Sequence, residues 1–257
     1  MLGAISGDVI GSIYEGAGIK TKDFPLFTPQ STFTDDSVLT VAVAEWILGG
    51  RELTDLLHEY FAAYPGRGYG GAFHDWAQRQ GRRPYNSFGN GAAMRVSPVG
   101  FAFDTMDEVL AWAEKSAAVT HNHPEGIRGA QATAAAIYCA RQTRDKAAIR
   151  DTLELQFGYD LSRTLEEIRP DYNFDVTCQG SVPEALIAFL ESSDWEDAIR
   201  NAISLGGDAD TLACIAGGVA EAYYGGLPPE LAGNVLARLD PRLADVVRRF
   251  RERYGLP

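Results

Sequence analysis

Two short acidic clusters stand far apart in the chain, Phe33-Thr34-Asp35-Asp36-Ser37 near the start and Gly206-Gly207-Asp208-Ala209-Asp210-Thr211 near the end. Thr34, Asp35, Asp36, Asp208, Asp210 and Thr211 offer only hard oxygen donors. Such donors suit Mg2+ or Mn2+, whereas zinc draws on His and Cys. Four aspartates and two threonines are enough for two ions. A carboxylate shared between ions roughly 3.5–4 Å apart is the usual construction, and it serves hydrolysis or phosphoryl chemistry. The same residues are also good helix starts, because Thr, Asp and Ser cap exposed N–H groups and acidic first turns favour the helix dipole. Capping alone accounts for either cluster taken singly. Two clusters, each ahead of an apolar run (Val38 to Leu48 and Leu212 to Tyr224), favour a cation, since adjacent like charges repel unless neutralised.

A second set of residues suits an anionic or aromatic ligand. Ser87-Phe88-Gly89-Asn90-Gly91-Ala92-Ala93 is a small-residue loop leading toward a short helix. Lacking side chains, its glycines allow backbone N–H groups to approach phosphate oxygens closely. It has neither a Walker ending nor a Gly-x-Gly-x-x-Gly fingerprint, and an ordinary tight loop accounts for these residues equally well. The glycine-rich stretch from Tyr64 to Phe73 carries rings able to stack on an adenine, Tyr69 foremost. Core packing explains Phe73 and Trp76 as well. His121 and His123 lack the Cys pair or His-Glu-x-x-His helix that would complete a zinc site, and Pro124 makes them a loop entering the helix Glu125 to Arg141.

In order along the chain, Gly7-Asp8-Val9-Ile10-Gly11 with Tyr14-Glu15, Thr34-Asp35-Asp36, Gly89 to Arg95, Thr120-His121-Asn122-His123-Pro124 and Gly206 to Thr211 resemble the motifs of the ADP-ribosylglycohydrolases. That family removes ADP-ribose from dinitrogen reductase or from modified arginine and serine side chains. The resemblance covers nearly the whole chain. It implies that Thr34, Asp35, Asp36, Asp208, Asp210 and Thr211 hold two Mg2+ or Mn2+ ions, with Asp210 bridging them and sharing a catalytic role. Glu15 falls where the family places an acidic residue beside the metals, and is assigned to catalysis. Gly89, Asn90, Gly91 and Ala92 would hold the diphosphate and ribose. The expected reaction is hydrolysis of the C1″ glycosidic bond of ADP-ribose carried by a protein side chain, or by a free metabolite such as O-acetyl-ADP-ribose. A non-catalytic relative and a magnesium-dependent phosphohydrolase are the competing readings.

The elements that must position these groups are helical. Apolar residues recur three and four apart in Leu53 to Ala63, Met106 to Ser116, Ala147 to Phe157, Pro183 to Glu191, Ala198 to Leu205 and Leu243 to Tyr254, whereas alternating strand patterns are nearly absent. Pro183, Pro229 and Pro241 read as starts, Gly225-Gly226 and Gly255 as stops. An all-α, single compact domain over 1–257 is expected, because no linker divides the chain and the two acidic clusters must meet. Lys20 to Ser31, with Pro25 and Pro29, reads as an irregular loop able to gate the cleft.

The net charge of −12 argues against nucleic acid and anionic membranes, which clustered Lys and Arg hold. Cys139, Cys178 and Cys214 stand in no paired spacing and suit a reducing, cytoplasmic setting. The start of the chain lacks a basic n-region, and no apolar run reaches the roughly 20 residues of a membrane helix.

Overall fold

The computed structural model describes residues 1–257 and contains fifteen helices without a sheet. In chain order they are α1 (Leu2–Gly11), α2 (Asp35–Leu48), α3 (Leu53–Ala63), α4 (Gly71–Gln78), α5 (Gly91–Met94), α6 (Ser97–Ala102), α7 (Met106–Ala118) and α8 (Pro124–Thr143). Then follow α9 (Lys146–Phe157), α10 (Leu165–Ile168), α11 (Cys178–Leu190), α12 (Trp195–Ile203), α13 (Ala209–Tyr224), α14 (Pro229–Leu236) and α15 (Pro241–Tyr254). The sole extended pairing is an isolated antiparallel bridge between Gly89 and Thr177. No helix is long and apolar enough to cross a membrane. All three cysteines are buried and unpaired.

Every residue of α1 is buried, and α13 is buried from Ala209 to Ala222. Helices apolar on all sides belong in the middle of a bundle. Their mutual approach is set by glycine. A Cβ on Gly3 would lie 2.3 Å from Gly217 O, one on Gly7 2.0 Å from Ala213 O, and one on Gly11 2.5 Å from Asp210 Cα. Spaced by four, these three positions form one smooth stripe along α1, so the backbones touch. The acidic end of α13 is thereby brought against the carboxyl end of α1. Around this pair pack α8, α11 and α12, while α2 bridges α1 to α3, α6 and α15.

The helices expected from periodicity are present, with one displaced start. Pro183 lies inside α11, which begins at Cys178 behind the N-cap Thr177; the cap hydroxyl accepts from Gly180 N at 3.1 Å, and burial of the helix from Ser181 to Leu190 offsets the backbone bond the proline removes. Residues 20–31 are irregular as expected, and none of them lines the cleft. Arg200 Nη1 donates to Lys22 O and Phe24 O at 2.8 Å each, and Tyr14 Oη donates to Pro25 O at 2.7 Å, fastening this loop to α12 and the end of α1.

Candidate functional site

A cavity of about 390 Å³ opens where the ends of α1, α2, α5 and α13 converge. Its carboxylate wall is formed by Glu15, Asp35, Asp36, Asp208 and Asp210, with Thr211 beside them. The two clusters that lie far apart in sequence touch directly here, Thr211 Oγ1 standing 3.5 Å from Asp36 Oδ2. Two trios of carboxylate oxygens each gather within 4.8 Å, Asp8 with Asp36 and Asp210, and Glu15 with Asp208 and Asp210. Asp210 belongs to both.

The helix starts divide between capping and chemistry. Thr34 is the N-cap of α2 and accepts from Asp36 N at 3.3 Å. Asp208 holds the N-cap position of α13 but makes no capping bond; its Oδ2 accepts from Asn90 Nδ2 at 2.8 Å. Asp36 Oδ1 is buried with no partner at all. A buried carboxylate oxygen left without a donor is costly, and the donor set around it is all oxygen, so the residues present fit hard divalent cations.

Asp8 stands behind this wall, within reach of Asp36 and Asp210, a placement that spacing alone does not reveal. Fully buried in α1, it accepts from Thr34 N, from Thr34 Oγ1 at 2.7 Å, from Ser37 N at 3.0 Å and from Ser37 Oγ. A carboxylate from one helix thus satisfies the exposed N–H groups of another, fixing the first turn that carries Asp35 and Asp36.

Electrostatics without cations are unfavourable. Burial first, and then the neighbouring carboxylates, push Asp35, Asp36 and Asp210 well above the usual carboxylate range. Burial also raises Asp8 and Asp208, although hydrogen bonds from Ser37 and Thr34 oppose the shift at Asp8. Glu15 sits exposed at the rim, raised by partial desolvation and by Asp208 and Asp8.

Gly89, Asn90 and Gly91 also line the cavity, while Ala92 is fully buried in the core. Tyr69 does not line it: its hydroxyl donates to Tyr64 O at 3.0 Å, and its ring stacks on Phe73 at 5.6 Å. The rings at the cavity are Phe73, Tyr85 and Phe174, with Val176 beside the last. Phe174 is 51% exposed, and Phe88, next to the loop, is 45% exposed. His121 also lines the cavity, with Nδ1 2.7 Å from Thr120 Oγ1; burial and nearby Arg95 hold its pKa well below the usual value, keeping the ring neutral. His123 instead caps α8, accepting from Glu125 N at 3.1 Å.

Comparison with known proteins agrees with this geometry. The profile of the family described as ADP-ribosylglycohydrolase matches residues 1–256. The ADP-ribosylhydrolase ARH3 of Xenopus tropicalis is 28% identical over 300 residues, spanning 88% of this chain and 86% of that protein. The ADP-ribosylarginine hydrolase Tri1 of Pseudomonas putida is 29% identical over 165 residues, 61% of this chain and 44% of that one. A solved structure titled ADP-ribosylglycohydrolase-related protein complex superposes with a TM-score of 0.69 at 27% identity, covering 97% of this chain and 96% of its own.

Proposed function

The chain belongs to the ADP-ribosylglycohydrolase family, and on that premise we propose that it hydrolyses the C1″ glycosidic bond joining ADP-ribose to a protein side chain. The observation carrying this reading is the pair of carboxylate trios sharing Asp210 at a cavity that the Gly89–Gly91 loop also lines, with Asn90 donating to Asp208. Thr34, Asp35, Asp36, Asp208, Asp210 and Thr211 would hold two Mg2+ or Mn2+ ions, with Asp8 in reach of the same position. Bound there, the ions supply Lewis-acid polarisation of substrate oxygens.

The chain's own residues account for the rest of the chemistry. Water adds at C1″ as the bond to the side-chain nitrogen or oxygen breaks through an oxocarbenium-like state, and the leaving atom takes up a proton. Glu15, at the rim with a raised pKa, is placed to accept the proton of the attacking water or to deliver one. Asn90 orients Asp208 by direct donation; Gly89 N and Asn90 N are taken by Ser87 Oγ and Val176 O, so Gly91 and Ala92 would supply the loop's backbone contacts to the diphosphate. Phe174, a half-exposed ring lining the cavity, offers a surface on which the adenine can stack.

The test is a panel of arginine-linked, serine-linked and O-acetyl-linked ADP-ribose incubated with purified protein and Mg2+ or Mn2+, with products resolved by mass. Release of ADP-ribose from a protein substrate, abolished by chelation, is the expected result. Turnover of the O-acetyl conjugate alone would move the substrate to a free metabolite, and release of inorganic phosphate would replace this reading with a phosphohydrolase.

A further inference from the structure

Arg95 follows α5 and is the only lysine or arginine that the fold buries completely. No carboxylate pairs with it. Its Nη2 donates to Ser116 O at 2.7 Å and to Thr120 Oγ1 at 2.9 Å, which anchors the guanidinium at the carboxyl end of α7, where the helix dipole is mildly favourable to a cation. Nε and Nη1 have no partner. A buried cation left with unmet donors is among the most costly arrangements in a protein interior, and native folds retain such conflicts at working sites.

Its location says which part of a ligand would feel the charge. Arg95 lines the cavity together with Tyr85, Gly91 and His121. Four residues beyond Gly91, it lies one helical turn below it on the same face. A Cβ on Gly91 would meet His121 Nε2 at 3.2 Å, so backbone, imidazole and guanidinium crowd into one end of the cavity. The adjacent Met94 instead faces the carboxylate wall, its Sδ 3.9 Å from Thr211 Oγ1. The cavity is therefore divided, with acidic groups at one end and a single fixed positive charge, without any carboxylate, at the other.

We propose that Arg95 is the counter-charge for an anionic group of the ligand, seated over Gly91 and His121, and that it makes the site select phosphorylated ligands over neutral nucleosides or sugars. In identifying that anion with the diphosphate of ADP-ribose, the proposal rests on the functional reading above. The requirement for an anion rests on the unpaired guanidinium itself. Acting from a low-dielectric interior, the charge is felt by a ligand without being exposed to water.

Calorimetry with Mg2+ present tests this on Arg95→Met and Arg95→Lys, using ADP, ADP-ribose and adenosine, after circular dichroism has verified the fold of each variant. Arg95→Met should weaken ADP and ADP-ribose on the order of tenfold, the effect of removing a nearby charge that water screens little, while adenosine changes by less than about threefold. Arg95→Lys should retain most of the ADP affinity. Equal losses for adenosine and ADP, or parental ADP binding in Arg95→Met, would overturn the assignment. Should the Met variant fail to fold, crystals of the parent soaked in tungstate give the second reading: anomalous density at the Gly91 and His121 end supports the site, and density elsewhere or none refutes it. ADP binding is read without turnover, so absence of hydrolase activity in the parent would count against the functional reading and leave Arg95 to be judged by these data alone.

Discussion

Thr34 Oγ1 donates to Asp8 Oδ1 at 2.7 Å, and through this bond the first turn of α2 is tied to the interior of α1. Ser37 completes the attachment from the far side of the same first turn. The two aspartates between them, Asp35 and Asp36, have little freedom to adjust.

Asp8→Asn tests how much of the site depends on that attachment. The amide keeps one acceptor but turns a donor toward the N–H groups of Thr34 or Ser37. Loss of these buried bonds should destabilise the protein by about 2–4 kcal/mol. Affinity for Mn2+ should fall at least about tenfold, because the first turn of α2 is loosened. Titration calorimetry giving the parental metal affinity would show that Asp8 is dispensable to the geometry.

Stability of the metal-free protein should decline as the pH rises. Asp35, Asp36 and Asp210 have folded pKa values raised well above the unfolded carboxylate value, so the folded state binds more protons than the unfolded one. Their contribution is fully present below about pH 4 and is lost as pH climbs through the raised folded values. In EDTA the melting temperature should be higher near pH 5.5 than near pH 8. Mn2+ should reverse this order, since cations bind the ionised carboxylates. A metal-free melting temperature that rises over this interval would contradict the assigned shifts.

Glu15→Gln separates chemistry from assembly. Because Glu15 is exposed at the rim, folding stability should move by less than about 0.5 kcal/mol. Turnover should fall on the order of 10²–10⁴-fold if the carboxyl moves a proton. Elemental analysis of the same preparation distinguishes proton transfer, with metal content unchanged, from ligation, with metal content reduced. Parental turnover would exclude both roles.

Gly7→Val should prevent or severely weaken folding. Its Cβ would fall 2.0 Å from Ala213 O and 2.3 Å from Ala213 C, so α1 must lift from α13 at a cost above about 3 kcal/mol. Gly233, inside α14, has open space where a Cβ would stand, with no atom within 4 Å, and no positive φ. Gly233→Ala should therefore stabilise by about 0.4–1 kcal/mol. Chemical denaturation of both variants measures the contrast.

Much of this organisation is legible in the residues themselves. The acidic clusters ahead of apolar runs foretell both α2 and α13 and their meeting, because like charges placed at two buried helix starts are hard to explain separately. Asp8 escapes such reading: amid Gly7 and Val9 it looks like an ordinary helical position, and its partners lie 26 and 29 residues away. Aromatic residues mislead for a related reason. A ring in a glycine-rich stretch can turn to either side, and Tyr69 turns to Tyr64 while Tyr85 and Phe174 reach the cavity. Arg95 is similarly hidden, since nothing in its neighbours along the chain announces that α7 will bury it.

The glycine contact between α1 and α13 gives the molecule an uneven tolerance for change. Because main chain rests on main chain there, the separation between the two halves of the carboxylate wall is set by backbone contact rather than by the bulk of exchangeable side chains. Aliphatic residues elsewhere in the interior can be traded for one another at modest cost without moving Asp208 or Asp210 relative to Asp8. In a saturation library, positions 3, 7 and 11 should consequently be intolerant of any side chain, while the apolar positions between them accept alternatives.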